Sequence, residues 1–324
     1  MSRDIIAQVV ATIGPASAAC RDAARAKAST AGSDLLQRLA GAIAGAQHAP
    51  AVRATPRTIV VVAGDHGCGD PGIALGPAHP TAIAARAICD GSAALAQLAR
   101  AASAPIVVVD AGVREPDAMP AAAIRLGLVP SADVTRGAAL TEAAAGAAVE
   151  AGIALAVSLV EAERVAAFAL GALGLGSELA AAALLAAATG IAPAGLGDSG
   201  AEAIAVRAVT APGTPGLPRL AAWGGSDLGV LAGLMLAAAS FDIPIILDGY
   251  ATGAAALVAA ALAPAVTGYL IAAHRGSFTL PATLAHLGLM PMLDAGLGHG
   301  EGAGAAMLLP SLDQVAALTA SAQQ

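Results

Sequence analysis

Short apolar runs that end in small or polar residues place the strongest constraint on the fold of this chain. Four such runs, at residues 58–63, 106–109, 243–247 and 266–272, are continuously apolar, and alanine-rich stretches of high helix propensity follow them. Strands that are covered on both faces have this continuous pattern. The sequence therefore predicts an α/β fold in which a parallel, Rossmann-like sheet carries helices on both faces.

The four predicted strands finish in clusters of small and polar residues, namely Gly64-Asp65-His66-Gly67, Asp110-Ala111-Gly112-Val113, Asp248-Gly249-Tyr250 and His274-Arg275-Gly276-Ser277. In open α/β sheets, ligands bind just outside the carboxyl ends of the strands. We therefore expect a site that includes Asp65, His66 and Asp248. A structural alternative stays open, because an Asp after a strand commonly caps a helix or ties down its own turn, and a neighbouring His can simply bond to that Asp.

The two ends of the chain contain no predicted strand. We predict an α/β domain at residues 50–295, with residues 1–49 and 296–324 together forming a small helical domain. The Pro- and Gly-rich segment 211–218 predicts a loop before a strand that leads to Trp223-Gly224-Gly225.

Hydropathy raises the question of a membrane protein. The mean hydropathy is +0.74, and residues 249–273 contain no charge. This stretch is mostly alanine and is interrupted by Gly253, Pro264 and Gly268, whereas membrane-spanning helices depend on Leu, Ile, Phe and Val. The N-terminus has no export signal, so we expect a soluble, cytoplasmic protein without a membrane partner.

Charge and cysteine content exclude further classes of function. A formal charge of −7 with a single lysine gives no basic surface for nucleic acid. Three cysteines without paired spacing predict neither a disulfide framework nor a zinc site. Because the His, Asp and Glu residues are scattered and no nucleophile elbow or Walker loop is present, we expect no metal and no cofactor.

Glu301 lies in a glycine-rich segment, Gly298-His299-Gly300-Glu301-Gly302-Ala303-Gly304. Glycines let a flat ligand or a ribose approach the backbone closely and keep water away from the carboxylate. Desolvation raises the pKa of a carboxylate and makes it a better base. From spacing alone, a cap on the following helix explains Glu301 equally well.

A second glycine-rich segment, Gly171-Ala172-Leu173-Gly174-Leu175-Gly176-Ser177, precedes a long helix for which Ser177 is the expected N-cap. Helix N-termini with adjacent glycines bind phosphate through free N–H groups. Glu178 in the first turn would repel a phosphate, however, although it favours the helix dipole. A simple capped helix is the structural alternative.

In this order, the clusters resemble the nicotinate-nucleotide:dimethylbenzimidazole phosphoribosyltransferases, which make the lower-ligand nucleotide of cobalamin. The resemblance spans nearly the whole chain and rests on the strand-end clusters above, on Trp223-Gly224-Gly225, on His286-Leu287-Gly288-Leu289 and on Gly300-Glu301-Gly302. It implies that a benzimidazole-type nitrogen attacks the ribose C1′ of nicotinate mononucleotide, giving α-ribazole 5′-phosphate and nicotinate.

The resemblance also implies roles for individual residues. Glu301 occupies the position of the family's general base. Gly174 and Gly176 would approach the phosphate, with Ser177 in the same segment. The remaining expected substrate contacts are Asp65, His66, Asp248, Gly249, Ser277 and Gly300. A homodimer, or a heterodimer with a paralogue, is the assembly that the resemblance implies.

This chain departs from the family at several positions. The family's phosphate segment typically reads Gly-Ile-Gly-Asn-Thr-Thr, where this chain has Ser177, Glu178 and Leu179 in the last three places. Ala74 and Ile83 replace a Ser and a Gln of the base pocket, and Val206 replaces a Lys. Two hypotheses follow: a transferase whose acceptor is a less polar benzimidazole or a phenol, or a non-catalytic paralogue that acts as a partner subunit or nucleotide-binding regulator.

Overall fold

A computed structural model describes residues 4–67, 73–190, 207–276, 279–294, 296–297 and 300–320. Within these residues, six strands form a single parallel sheet in the order β3-β2-β1-β4-β5-β6. The strands are β1 (Arg57–Ala63), β2 (Ile106–Asp110), β3 (Ile124–Arg125), β4 (Ala167–Leu173), β5 (Ile245–Leu247) and β6 (Leu270–Ala272).

The strand order places the change of winding direction between β1 and β4. Val60 of β1 is in register with Val107 of β2 and with Leu170 of β4. The chain first adds strands on the β2 side of β1 and then continues on the β4 side. In doubly wound sheets, the crevice at this switch point is where ligands bind.

The predicted strands agree with the structure in part. The runs at 58–63 and 106–109 match β1 and β2 closely, and 243–247 is shortened to Ile245–Leu247. The prediction of a strand from residue 266 is wrong, because a 3₁₀ helix occupies Pro264–Tyr269 and only Leu270–Ala272 is extended. Pro264 stands in the first turn of that 3₁₀ helix, where its fixed φ favours a helical start.

Two strands and one helix were not predicted. The central strand β4 consists mainly of alanine, glycine and leucine, which give no β-branched signal. β3 has only two residues. The strand predicted before Trp223 is wrong: the segment is a helix, Leu217–Trp223, with Pro218 near its start, and the Trp223 indole N–H donates to the Ala211 carbonyl at 3.0 Å.

The helices, numbered in chain order, are α1 (Ile5–Thr12), α2 (Ala18–Ala28), α3 (Asp34–Ala46), α4 (Pro80–Cys89), α5 (Ala94–Ala101), α6 (Glu142–Glu163), α7 (Ser177–Thr189), α8 (Leu217–Trp223), α9 (Ser226–Ser240), α10 (Tyr250–Leu262), α11 (Leu280–Leu287) and α12 (Ala303–Thr319). They cover both faces of the sheet. Val60, Val62 and Leu170 pack with α6, α7, α9 and α10, whereas Ile59 and Val61 pack with α2 to α5 and α12. Alternate residues of each strand therefore enter two separate cores, and the predicted fold class is confirmed.

The terminal helices pack on one another and on the sheet. Leu39 and Ile43 of α3 and Leu312 of α12 share a core with β1. Arg57 of β1 is buried, and its guanidinium donates to the Leu309 carbonyl at 3.0 Å and to the Asp313 carboxylate at 2.8 Å. The division into a domain at 50–295 and a helical domain of 1–49 with 296–324 stays a prediction.

Helix α6 is, among the described residues, long and apolar enough to cross a membrane. One side of it is packed closely against α9, where Gly152 faces the Val230 backbone and Gly233 faces the Val149 backbone. A core helix of a globular α/β protein has the same length and composition. The stretch 249–273, in contrast, is divided between α10, a 3₁₀ helix and β6.

Candidate active site

A cavity of about 190 Å³ opens at the carboxyl ends of the central strands. Its floor is the end of β4, and its walls come from the N-terminal turns of α4, α7 and α10 and from the segment before α12. The lining residues are Pro80, Thr81, Ala84, Ala172, Leu173, Gly174, Leu175, Glu178, Tyr250, Gly300 and Glu301. The cavity therefore lies at the switch point of the sheet.

Four helix N-termini converge on this cavity. Pro80 and Thr81 begin α4, Glu178 lies in the first turn of α7, Tyr250 begins α10, and Glu301 directly precedes the N-cap of α12. Each N-terminus carries a partial positive charge of about 0.5. The helix ends thus favour an anionic group, whereas the described lining side chains include the carboxylates of Glu178 and Glu301 and no Lys or Arg.

The segment that carries Glu301 is fixed to the sheet through its backbone. The Ala172 N–H of β4 donates to the Gly300 carbonyl at 2.9 Å. The Gly302 N–H donates to the Asp248 carboxylate at 2.6 Å, and Gly302 is the N-cap residue of α12. Glu301 makes no cap, so the structure does not support the alternative that Glu301 merely caps the helix.

The glycines around Glu301 serve backbone packing. Gly249 and Gly300 lie face to face, and a Cβ on Gly300 would be 2.8 Å from the Gly249 Cα. A Cβ on Gly171 would overlap the Glu301 backbone. The expectation that these glycines shield the carboxylate from water is wrong for this geometry, because the Glu301 side chain is exposed at the cavity mouth.

The Asp248 carboxylate is fully buried and holds this arrangement together. Besides Gly302, it accepts a hydrogen bond from the Ala305 N–H at 3.1 Å and pairs with His274 Nε2 at 2.8 Å. The structure thus favours the capping alternative for the Asp248 side chain, on α12 rather than on the next helix. The carboxylate therefore positions the segment that carries Glu301, and its expected contact with substrate stays a prediction.

Asp65 has a similar role on the other side of the cavity. Its carboxylate accepts from the Thr81 hydroxyl at 2.6 Å, from the Leu175 N–H at 3.0 Å and from the Arg114 N–H at 2.8 Å. It therefore joins α4 and the loops after β2 and β4 to the end of β1. The buried Asp65 side chain positions cavity walls, and its expected contact with substrate stays a prediction.

His66 is buried between two polar side chains. Its Nδ1 lies 3.1 Å from the Ser131 hydroxyl, and its Nε2 lies 3.2 Å from the Asp227 carboxylate at the start of α9. Burial by itself lowers the pKa of His66, but the charge and hydrogen bond of Asp227, with the charges of Asp65 and Glu178, raise it above its ordinary value. His66 thus connects β1 to α9, and its expected contact with substrate stays a prediction.

The predicted phosphate segment lies against the cavity. Gly174 has φ +149°, and a side chain there would overlap the Gly64 carbonyl, so close approach to the end of β1 requires glycine. Gly176, with φ +78°, is the N-cap of α7. The prediction of Ser177 as N-cap is wrong by one residue: Ser177 is the first helical residue and is buried.

Glu178 and Tyr250 form a pair across the cavity wall. The Tyr250 hydroxyl donates to the Glu178 carboxylate at 2.9 Å. Burial, followed by the charge and hydrogen bond of Glu178 and the charge of Glu301, raises the pKa of the Tyr250 hydroxyl. The hydroxyl therefore stays protonated and donates near neutral pH.

Sequence reasoning did not identify Tyr250 and Thr81 as cavity residues. Tyr250 directly follows Asp248-Gly249 at a strand end, which was a usable signal, whereas Thr81 joins the site only through the tertiary fold. Ile83 is half-exposed and is not a lining residue. Ser277 and Val206 lie outside the described residues, and the roles expected for Ser277, Gly174, Gly176 and Gly249 toward substrate stay predictions.

Metal ligation has no candidate in the part of the chain that the structure describes. No three His, Cys, Asp or Glu side chains are grouped there as a metal site requires. The expectation that the protein uses no metal and no cofactor stays a prediction.

Comparison with known proteins points to one family. A family model described as phosphoribosyltransferase matches residues 13–324. A nicotinate-nucleotide–dimethylbenzimidazole phosphoribosyltransferase of Roseiflexus sp. strain RS-1 is 37% identical, covering 94% of this chain and 91% of its own. One from Salinispora tropica is 38% identical, with 86% and 83% covered. A crystal structure of the enzyme of that name from Thermus thermophilus has a TM-score of 0.79 at 29% identity and covers 98% of this chain and 96% of its own.

The packing of Gly249 on Gly300 generates a stability prediction. Gly249→Ala forces the Glu301 segment away from β5, so we expect about 1–3 kcal/mol lower free energy of unfolding, measured by urea denaturation. Gly137→Ala is the matched control, because Gly137 has no atom within 4 Å of the added methyl group and should be neutral or slightly stabilising. Equal stability of the two variants would contradict the close backbone contact.

The raised pKa of His66 generates a pH prediction. The charged His66–Asp227 pair stabilises the folded state fully below the ordinary histidine pKa of about 6.5, and this stabilisation is lost as pH rises through the raised folded-state pKa. We expect the stability difference between the wild type and His66→Gln, measured by urea denaturation at several pH values, to shrink above that pH. The exposed His286→Gln serves as control, and a pH-independent difference for His66→Gln would refute the charged pair.

Proposed function

The chain belongs to the nicotinate-nucleotide:dimethylbenzimidazole phosphoribosyltransferase family, and we propose that it transfers ribose 5-phosphate from nicotinate mononucleotide to a benzimidazole-type or phenolic acceptor. The products are α-ribazole 5′-phosphate, or its phenolic counterpart, and nicotinate. The observation that carries the proposal is the fixed position of Glu301 at the cavity mouth, within the family's Gly-Glu-Gly segment.

Glu301 serves as the general base in this proposal. An acceptor nitrogen forms a bond to the ribose C1′ while the bond from C1′ to the nicotinate nitrogen breaks and its electrons neutralise the pyridinium ring. Glu301 takes the N–H proton of the acceptor. The carboxylate of Glu301 is exposed at the cavity mouth, where it can reach the acceptor, whereas the buried Asp248 carboxylate is saturated with hydrogen bonds.

Charge in the cavity suits a donor that is cationic at its ring and anionic at its phosphate. The N-terminus of α7, with Gly174 and Gly176 before it, offers N–H donors to the phosphate. Glu301 and Glu178 stabilise positive charge, which develops on the ribose in glycosyl transfer. The helix ends thus attract the phosphate, and the two carboxylates favour the reacting centre.

The proposal also covers the location and the assembly of the protein. A cytoplasmic location and a homodimer are properties that the family resemblance supports, and a heterodimer with a paralogue is the alternative assembly. The non-catalytic hypothesis has less support, because a regulator that only binds nucleotide has no chemical need for an anchored, solvent-accessible acid at the cavity mouth.

If Glu301 is the general base, replacing its carboxylate with a neutral amide should slow the transfer. We expect Glu301→Gln to lower kcat by about 10²- to 10⁴-fold, with the thermal unfolding midpoint unchanged because the side chain is exposed. Product is measured as a new ultraviolet-absorbing chromatographic peak from nicotinate mononucleotide and dimethylbenzimidazole.

Glu163→Gln, an exposed acid at the end of α6, is the control and should retain wild-type activity. Activity of Glu301→Gln within a few-fold of wild type would reject Glu301 as the base. Wild-type protein that binds nicotinate mononucleotide but forms no product with any benzimidazole or phenol would favour the non-catalytic hypothesis.

Glu178 predicts a salt-dependent effect on donor binding. Glu178→Gln removes a negative charge from the first turn of α7, so we expect the KM for nicotinate mononucleotide to fall by about three- to tenfold at low ionic strength and by less at high salt. Steady-state kinetics at two salt concentrations measure the change. Glu142→Gln, in the first turn of α6 and outside the cavity, is the control, and an unchanged KM for Glu178→Gln would place the phosphate away from α7.

A further inference from the structure

A second cavity, of about 280 Å³, lies between the N-terminal helices and the edge strand β6. Three arginines line it: Arg21 and Arg25 from α2 and Arg38 from α3. Among the described residues that line it, none is acidic. The cavity therefore has a local excess of positive charge in a chain with a formal charge of −7.

The arginine side chains of α2 are held by a groove on α3. Gly41 and Gly45 lie one helical turn apart, and the Arg25 stem crosses Gly41 so closely that a Cβ there would be 2.6 Å from the Arg25 Cγ. The Arg21 Cβ and Nε lie 3.5 Å from the corresponding position on Gly45. The stems are therefore packed in place, while the guanidinium groups reach the cavity.

The three guanidinium groups differ in their partners. Arg38 donates to the Asp34 carboxylate at 2.7 Å and to the Pro291 carbonyl at 3.0 Å, which fixes its position. Across the described residues, neither the Arg21 nor the Arg25 guanidinium makes a hydrogen bond or an ion pair. Two pre-positioned charges are thus available to an anion beside a third that is anchored.

The opposite wall of the cavity is apolar. Leu270 and Ile271 of β6 and Leu289, Met290 and Met292 contribute it, and Met290 is 69% exposed. Methionine contacts flat rings favourably and adapts to their shape. The cavity is slightly smaller than a typical ligand pocket of about 300–1,000 Å³, so it suits a small molecule.

We propose that this cavity is a second binding site, separate from the transfer site, for a small organic anion with a carboxylate or phosphate head and an apolar body. The anionic head is bound by Arg21 and Arg25, and the body packs on β6 and the methionines. An organic carboxylate and an organic phosphate monoester both have an anionic head and an apolar body. An inorganic anion has no apolar body.

Titration calorimetry with benzoate, phenyl phosphate and inorganic phosphate on the full chain tests the site. We expect at least one of the two aromatic anions to bind one-to-one, and inorganic phosphate to bind about tenfold more weakly or not at all. The stronger aromatic ligand identifies the preferred head group. Absence of saturable binding of both aromatic anions, or equally tight inorganic phosphate, overturns the proposal.

Variants locate the bound anion. Arg21→Gln/Arg25→Gln should weaken binding about tenfold or more, while Arg53→Gln/Arg136→Gln, which removes two exposed arginines outside the cavity, should not change it. Binding should also persist with saturating nicotinate mononucleotide, which occupies the transfer site, and this result separates the two sites. Undiminished binding in the Arg21/Arg25 variant rejects the site.

A measurement on the wild type covers the case in which the Arg21/Arg25 variant does not fold. With methyl-labelled methionine, the resonances of Met290 and Met292, assigned through Met290→Leu and Met292→Leu, should shift on saturation with the bound aromatic anion. Shifts confined to other methionines would place the ligand elsewhere and reject the site.

Discussion

The buried Asp248 carboxylate is the interaction on which the site depends. It connects the end of β5, the histidine after β6 and the N-terminal turn of α12, three segments far apart in the sequence. Leaving such a group without its partners costs about 1–3 kcal/mol for each unpaired donor or acceptor, so the network stabilises the joint arrangement of the three segments. Glu301 is consequently positioned by the sheet even though its own side chain makes no structural contact of this kind.

Buried polar residues have the same positioning role on the opposite wall of the cavity. Asp65 connects the ends of β1, β2 and β4 to α4, and His66 connects β1 to α9. Polar residues at strand ends thus hold the walls in place, and the cavity is lined by the end of β4, by the segments next to it and by helix N-terminal turns. In the proposed reaction, the helix N-termini would attract the phosphate, and the carboxylates of Glu178 and Glu301 would favour the cationic reacting centre.

The sequence predicted strands well where their residues have high β-propensity. β1 and β2 are rich in Val and Ile, and their predicted bounds agree with the structure within a residue. β4 was missed because its alanines give no β-branched pattern and because Gly171 is required by the close passage of the Glu301 segment, a tertiary contact. Asp65, His66 and Asp248 were correctly placed near the site, but spacing could not distinguish a ligand contact from a buried hydrogen-bond network.

The glycine-rich segment around Glu301 shows that one sequence pattern can have two physical explanations. We inferred glycines that admit a ligand, whereas Gly171, Gly249 and Gly300 admit another stretch of backbone. Both explanations require residues without side chains, so the sequence cannot separate them. Backbone packing has a consequence for Glu301. The segment packs on two strands and donates hydrogen bonds to Asp248, so the position of its only acid is fixed. An acid held by its backbone can change protonation state without disturbing the contacts that hold it.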